Sequence, residues 1–409
     1  MFFYHHKRIF YYTILFMLTA CSLATSCSKS DPDEGSIRNV LILYSAGYND
    51  LSNYLTEDIE DMMVHGYVPS KKGRDILLII GRRTARYNDY KTPSAPCLYR
   101  IFRQSGKVVR DTLFSLEGGK SIAEPGAMKT LLGKAVDLFP SRHYGMVFSS
   151  HGSGWLPEGF FANPDSFKSK SAGAEFYDPE GTEHKTYEIE INDMAAAIPM
   201  HLDYLLFDAC LMGGVEVAWA LKEVTDYIGF SQTEILGDGF DYTGLAGHLL
   251  QAAPDPEAVC KDYYMRYKEQ KGWSRSATIS LIRTEGLEGL AQACKPLFEQ
   301  YRTQIGALKA SDVQCFGGGK NYFYDLTDIL RKAGATNLAA VETALDKCIV
   351  FKAATEKYYS KNVGNTLPIH AFCGLSMYLP SPSVVTIGKA YLDEYYRTLG
   401  WNQATGLVK

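Results

Sequence analysis

Four short runs in the first half of the chain constrain its fold more than any other feature. They are Val40-Leu41-Ile42-Leu43-Tyr44-Ser45-Ala46, Asp75-Ile76-Leu77-Leu78-Ile79-Ile80-Gly81, Tyr144-Gly145-Met146-Val147-Phe148-Ser149-Ser150 and Tyr204-Leu205-Leu206-Phe207-Asp208. Each is almost continuously apolar, with no alternation of polar residues, the pattern of a strand buried on both faces. Amphipathic stretches separate them, with helices expected at Leu51 to Val64 and Pro125 to Leu138 and Glu124-Pro125 at the start of the second. Leu98 to Arg103 and Lys107 to Phe114, around Ser105-Gly106, read as a hairpin. Strands alternating with helices predict an α/β domain with a largely parallel sheet and helices on both faces. In such sheets ligands bind at the carboxyl ends of the strands.

The second half continues in kind. Helices are expected at Val215 to Thr225, Val259 to Glu269, Gly289 to Ile305 and Asn337 to Tyr358, with strands at Tyr227 to Ser231, Ala277 to Ile282 and Gly374 to Pro380. Pro157 to Glu183 is polar and Gly-, Ser- and Lys-rich, and reads as a long loop of the kind that carries function in a compact domain. The chain divides into residues 1–27, a tether over 28–37, a first domain over 38–252, and a subdomain over 253–409 that packs on the sheet or extends it.

Lys7 and Arg8 precede the apolar run Ile9 to Ala20, which suits a secretory signal and is too short to span a bilayer. Leu18-Thr19-Ala20-Cys21 resembles a bacterial lipobox, and Ala24-Thr25-Ser26-Cys27, before the polar tail Ser28 to Glu34, is a second candidate. Lipidation at Cys21 or Cys27 is therefore expected, with the protein anchored in a bacterial cell envelope, facing the periplasm or the exterior. Lys+Arg number 42 against 46 Asp+Glu, for a net charge of -4, and no basic face stands out. That argues against nucleic acid as a partner. The nine cysteines contain no C-x-x-C pair, so no metal site is expected.

Chemistry is suggested where two of the apolar runs end. One delivers His151, followed by Gly152-Ser153-Gly154-Trp155; the other delivers Cys210 before Leu211-Met212-Gly213-Gly214. Neighbouring parallel strands ending this way bring an imidazole and a thiol to one rim. Cysteine attacks as thiolate, which a nearby cation or helix start favours. Histidine carries protons near neutral pH. The amides of Gly152 and Cys210 are the expected donors to an oxyanion, and Gly152 and Gly154 would let a peptide backbone approach.

The strand-His151-Gly152 and strand-Asp208-Ala209-Cys210 pair resembles the clostripain family of caspase-like cysteine peptidases. The likeness extends to Val40–Leu51, Val215-Glu216-Val217-Ala218, Ser231–Tyr242, Tyr324-Asp325-Leu326 and Gly374–Pro380, and so covers nearly everything from Arg38 onward. It implies a caspase-like three-layer α/β/α sandwich with a C-terminal α+β extension, Cys210 as nucleophile, and His151 acting on the leaving amine. It also implies cleavage after Arg or Lys. Asp208 stands where the family's motif has the acid credited with that preference, and Asp238 and Glu234 are further candidates from the acidic loop. A carboxylate facing a guanidinium forms charge-assisted, bidentate hydrogen bonds. Relatives mature by cutting themselves between His and Cys, which here points to Lys168 or Lys170. No cofactor is required. The resemblance admits calcium, but Tyr48-Asn49-Asp50 lacks the more acidic turn that would support it.

Two other readings of the same residues are a non-catalytic envelope binding lipoprotein and a Cys-dependent transpeptidase or amidase that uses the same acyl-thioester chemistry.

Overall fold

A computed structural model describes residues 37–85, 92–117, 121–157, 172–176, 186–318, 322–382 and 389–409. These belong to one unit beginning at Ile37. Its elements in chain order open with β1 (Asn39–Ala46), α1 (Ser52–His65), β2 (Asp75–Arg82), β3 (Cys97–Gln104), β4 (Lys107–Ser115), α2 (Pro125–Leu138) and β5 (Tyr144–Ser149). Then come β6 (Ala172–Phe176), β7 (Thr186–Ile189), α3 (Ile191–Ala197), β8 (Leu202–Asp208), α4 (Val215–Leu221) and β9 (Thr225–Phe230). Next are α5 (Tyr242–Leu249), α6 (Pro256–Lys268), β10 (Thr278–Arg283), α7 (Leu287–Gln300) and α8 (Arg302–Ala307). The remainder is β11 (Tyr324–Asp325), α9 (Leu326–Lys332), α10 (Ala339–Cys348), β12 (Ile349–Ala354), β13 (Lys357–Ser360), β14 (Asn365–Pro368), β15 (Ser376–Met377), α11 (Lys389–Thr398) and α12 (Gly400–Thr405).

Nine strands form one sheet in the order β12-β10-β9-β8-β5-β1-β2-β3-β4. The centre, β9-β8-β5-β1-β2, is parallel throughout. Antiparallel pairs close both flanks. The unbroken apolar runs now have their cause. In β1, Val40, Ile42 and Tyr44 enter one core with α2, α3, α4 and the C-terminal helices. Leu41 and Leu43 enter a second core with α1, α5 and α6. With both faces covered, no position along the strand meets water. The result is a three-layer α/β/α sandwich.

Four boundaries differ from expectation. The helix expected over Asn337–Tyr358 ends at Cys348, and the chain turns into β12, which pairs with β10. Ile349-Val350-Phe351 is β-branched and aromatic, and the otherwise open edge of β10 decides its state. β10 and β12 thus extend the main sheet. The helix after Cys210 stops at Leu221 because Thr225 begins β9. The helix expected over Gly289–Ile305 is two, α7 and α8, on either side of Tyr301. Within the expected loop Pro157–Glu183, residues 172–176 form β6, paired with β7. Its Glu175 is fully buried. It accepts hydrogen bonds from Arg82 Nη1 at 3.1 Å, Ser121 Oγ at 2.7 Å and the Ile122 amide at 3.0 Å. One of several acids in a Gly- and Ser-rich run, it gives no sign of such burial in sequence. Lys168, Lys170, Cys21 and Cys27 lie outside the described residues.

Candidate active site

The register of β5 against β8 aligns Ser149 with Asp208, so His151 and Cys210, two residues on in each strand, emerge at the same carboxyl edge. Both open into a cavity of about 610 Å³ whose walls also include Asp50, Tyr54, Asp208, Glu234, Gly237 and Trp273.

The histidine segment is held by backbone pairing. Ser150 Oγ donates to the Ala46 carbonyl (2.6 Å) and accepts from the Ala174 amide (3.3 Å), and the Gly173 amide donates to the His151 carbonyl (3.0 Å). β6 therefore clamps the loop that carries the imidazole. The ring itself meets Asp50: Nε2 lies 2.6 Å from Oδ1. That contact, with the imidazole's charge, lowers the Asp50 carboxyl below its ordinary range. Asp50 follows Asn49, whose amide donates to the carbonyls of Ala46 and Ala174, so the β1–α1 turn and β6 are fixed together.

Cys210 ends its strand on a sharp turn. Leu211 takes a positive φ of 63°, a conformation rare for a branched side chain and found where a fold over-determines it. α4 starts only at Val215, so the helix start expected to activate the thiol is not beside it. The sulfur instead meets one residue of the loop after β9. It accepts from the Ile235 amide at 3.3 Å and donates to the Ile235 carbonyl at 3.7 Å. Burial pushes the thiol up to about 12, and the carboxylates of Glu234 and Asp208 add to the rise. At neutral pH Cys210 is therefore a thiol. Among the described residues, no hydrogen bond joins it to His151.

Gly152 and Gly154 do not present open backbone. A Cβ on Gly152 would lie 2.4 Å from the Cys210 carbonyl oxygen, and one on Gly154 would lie 2.6 Å from that of Leu211. Their smallness lets the histidine and cysteine segments pack together, and Gly152 still borders the cavity.

Of the three acids proposed to face a basic side chain, Asp208 and Glu234 line the cavity, whereas Asp238 is exposed and lies outside its lining. Asp238 sits at the tip of a turn that points into solvent. Glu234 is engaged by the end of β13: it accepts from Ser360 Oγ, the Lys361 amide and Asn362 Nδ2. Asp208 is buried and accepts from Tyr242 Oη (2.8 Å) and the Phe240 amide (3.3 Å). Gly239 makes that approach feasible, since a Cβ there would be 2.3 Å from Asp208 Oδ2. Burial raises the Asp208 carboxyl, opposed by Tyr242, the Phe240 amide and Arg266.

Sequence reasoning missed three contributors. Asp50 was read only as a turn residue. Asp58 was absorbed into an amphipathic helix, although it follows the cavity residues Tyr54 and Leu55 by one turn and so shares their face. One Asp58 oxygen is buried without a hydrogen-bond partner, and burial together with the nearby Asp208 raises its carboxyl. Trp273, isolated in a polar stretch after Gly272, carried no periodic signal. Among the described residues, no cluster of His, Cys, Asp and Glu is arranged to hold a metal.

The sequence pattern of the Clostripain family matches residues 43–401. An inactive zymogen C11 protease from Parabacteroides distasonis is similar in structure, with a TM-score of 0.74 and 26% identity over 90% of this chain and 98% of that one. A secreted C11 cysteine protease from Bacteroides thetaiotaomicron, in complex with an irreversible peptide inhibitor, has the same fold, with a TM-score of 0.74 and 24% identity over 90% of this chain and 99% of that one. No curated protein matches.

Proposed function

This chain belongs to the clostripain family and is a cysteine peptidase; from that premise we propose that it is an endopeptidase that hydrolyses peptide bonds after Arg or Lys. In this reading the Cys210 thiolate attacks the scissile carbonyl carbon, and the amides of Gly152 and Cys210 donate to the developing oxyanion. His151 gives a proton to the departing amine as the C–N bond breaks, leaving an acyl-thioester. Water then attacks the thioester, the carboxylate product leaves, and the sulfur recovers its proton. The observation that carries the proposal is that Cys210, His151 and the buried carboxyl of Asp208 border one cavity. Asp208 borders that cavity with no arginine or lysine in an ion pair with it among the described residues, which suits a site completed by a substrate cation.

The neutral, Ile235-bound thiol supports a resting form that precedes activation. We assign that step to self-cleavage after Lys168 or Lys170, between His151 and Cys210. Lipidation at Cys21 or Cys27 would place the enzyme on an envelope membrane, and the mass of the mature amino-terminal peptide tests that assignment. Calcium is not assigned a site.

The test of the catalytic reading uses purified protein in reducing buffer with paired peptide amides that differ only in Arg, Lys or an uncharged residue before the scissile bond. Wild type should cleave the basic pair, and Cys210→Ala and His151→Ala should each lose that cleavage. Asp208→Asn should lose the preference for basic substrates. Full cleavage by Cys210→Ala would reject the mechanism, and an unchanged preference in Asp208→Asn would reject the specificity assignment. An intact chain by mass spectrometry, with full activity, would reject self-processing.

A further inference from the structure

Beyond the catalytic groups, the cavity has an aromatic wall. Trp273 is 58% exposed, and its ring centroid lies 5.2 Å from that of Tyr359. Both border the same cavity as Cys210. Topology explains how they come to be there. β10 runs antiparallel to β9, with Ser280 opposite Phe230, so the residues preceding β10 return to the carboxyl edge where Cys210 emerges. Gly272, with a φ of 62°, turns the chain just before Trp273. Tyr359 is fixed independently: its amide donates to Ser276 Oγ at 2.8 Å, and the Thr355 amide donates to the Ala277 carbonyl at 2.9 Å. The end of β13 is tied back to the loop after β9 by the three hydrogen bonds to Glu234. The wall is thus braced, yet its largest ring is left in solvent.

The order of elements along this edge gives the wall a direction. Moving from β5 through β8 and β9 to β10, one passes His151, then Cys210, then the 231–237 segment, then Trp273. In the proposed reaction His151 protonates the leaving amine, so the departing half of the substrate lies on the β5 side. The acyl half must then cross toward β9 and β10. We propose that Trp273 and Tyr359 form a subsite for a large apolar side chain, aliphatic or aromatic, upstream of the residue at the scissile bond. Trp is suited to this because it presents a wide, rigid apolar face with few rotamers to fix. This proposal rests on the peptidase reading but not on its preference for basic residues.

The test is cleavage of a mixed peptide library by the mature enzyme, followed by two defined substrates that share the cleaved residue and differ upstream in Leu versus Gly. Wild type should favour Leu. In Trp273→Ala the Leu:Gly ratio of kcat/KM should fall about tenfold, the low end of what a hydrophobic pocket discriminates per methylene. Tyr359→Ala should lower it in the same direction, and Trp273→Phe should restore most of it. A ratio in Trp273→Ala equal to that of wild type, or a wild type indifferent to the upstream residue, overturns the subsite. The library reads the cleaved residue separately, so loss of the basic preference counts against the specificity reading alone.

Discussion

Glu216→Gln should remove a pH dependence of stability that wild type carries between about pH 4.5 and 7. Glu216 lies on α4, buried, and one oxygen accepts from the Tyr378 amide (2.9 Å) and Tyr396 Oη (2.8 Å) while the other has no partner. Those tyrosine rings pack on Trp155 of the histidine loop, with centroids 5.1 and 5.2 Å away. The carboxyl therefore sits within the packing that joins the histidine and cysteine segments. Burial raises it from 4.5 to about 7, opposed by its hydrogen bonds. At roughly 1.4 kcal/mol for each pH unit, that rise corresponds to roughly 3 kcal/mol. The sign follows from proton binding. Between pH 4.5 and 7 the folded chain keeps this proton while the unfolded chain releases it, so stability falls as pH rises through the window and the cost is constant above it. Gln has no proton to lose. Its amide NH2, placed where Oε2 has no partner, introduces a pH-independent cost of roughly 1–3 kcal/mol. The informative quantity is thus a change in a difference. Urea unfolding of both proteins at pH 4.5 and pH 8 should show the variant gaining roughly 3 kcal/mol on wild type between the two. Equal differences at both pH values would refute the argument.

Two other perturbations probe how the site is held. Arg82→Ala leaves Glu175 buried without its ion-pair partner and should destabilise the fold by about 3–5 kcal/mol in urea unfolding, whereas adding Glu175→Gln should recover part of that loss. Asp50→Asn removes the charge at the His151 ring, whose Nε2 lies 2.6 Å from Oδ1. Its kcat should fall about tenfold with KM little changed, and a kcat equal to that of wild type would show that the contact does not orient the imidazole.

Much of this protein was legible in its sequence because local pattern and burial agree. The runs at Val40, Asp75, Tyr144 and Tyr204 are apolar on both faces, and only a covered parallel sheet can accommodate them. His151 and Cys210 stood out because each ends such a run, and parallel strands in register must deliver their ends to one edge. Where pattern and context diverged, the reading failed. Ile349–Ala354 continued a helical stretch in sequence, but the edge of β10 captured it. Asp238 was a further candidate from the acidic loop, yet it is exposed, whereas the strand-end carboxyl of Asp208 is folded inward, against Tyr242 and the loop that Gly239 lets approach.

The sequence by itself determined the layers, the strand order's parallel centre and the shared sheet edge of His151 and Cys210, because hydrophobic burial is written in residue spacing. Only the tertiary structure decided the state of those side chains. The thiol's rise to about 12 comes first from burial, with the carboxylate of Glu234, twenty-four positions away, adding to it, and the imidazole's partner Asp50 lies 101 positions away. Trp273 likewise reaches the site only because β10 runs back along β9. Charge state and cavity shape depend on what surrounds a group in three dimensions, and desolvation has no counterpart in the spacing of residues along a chain.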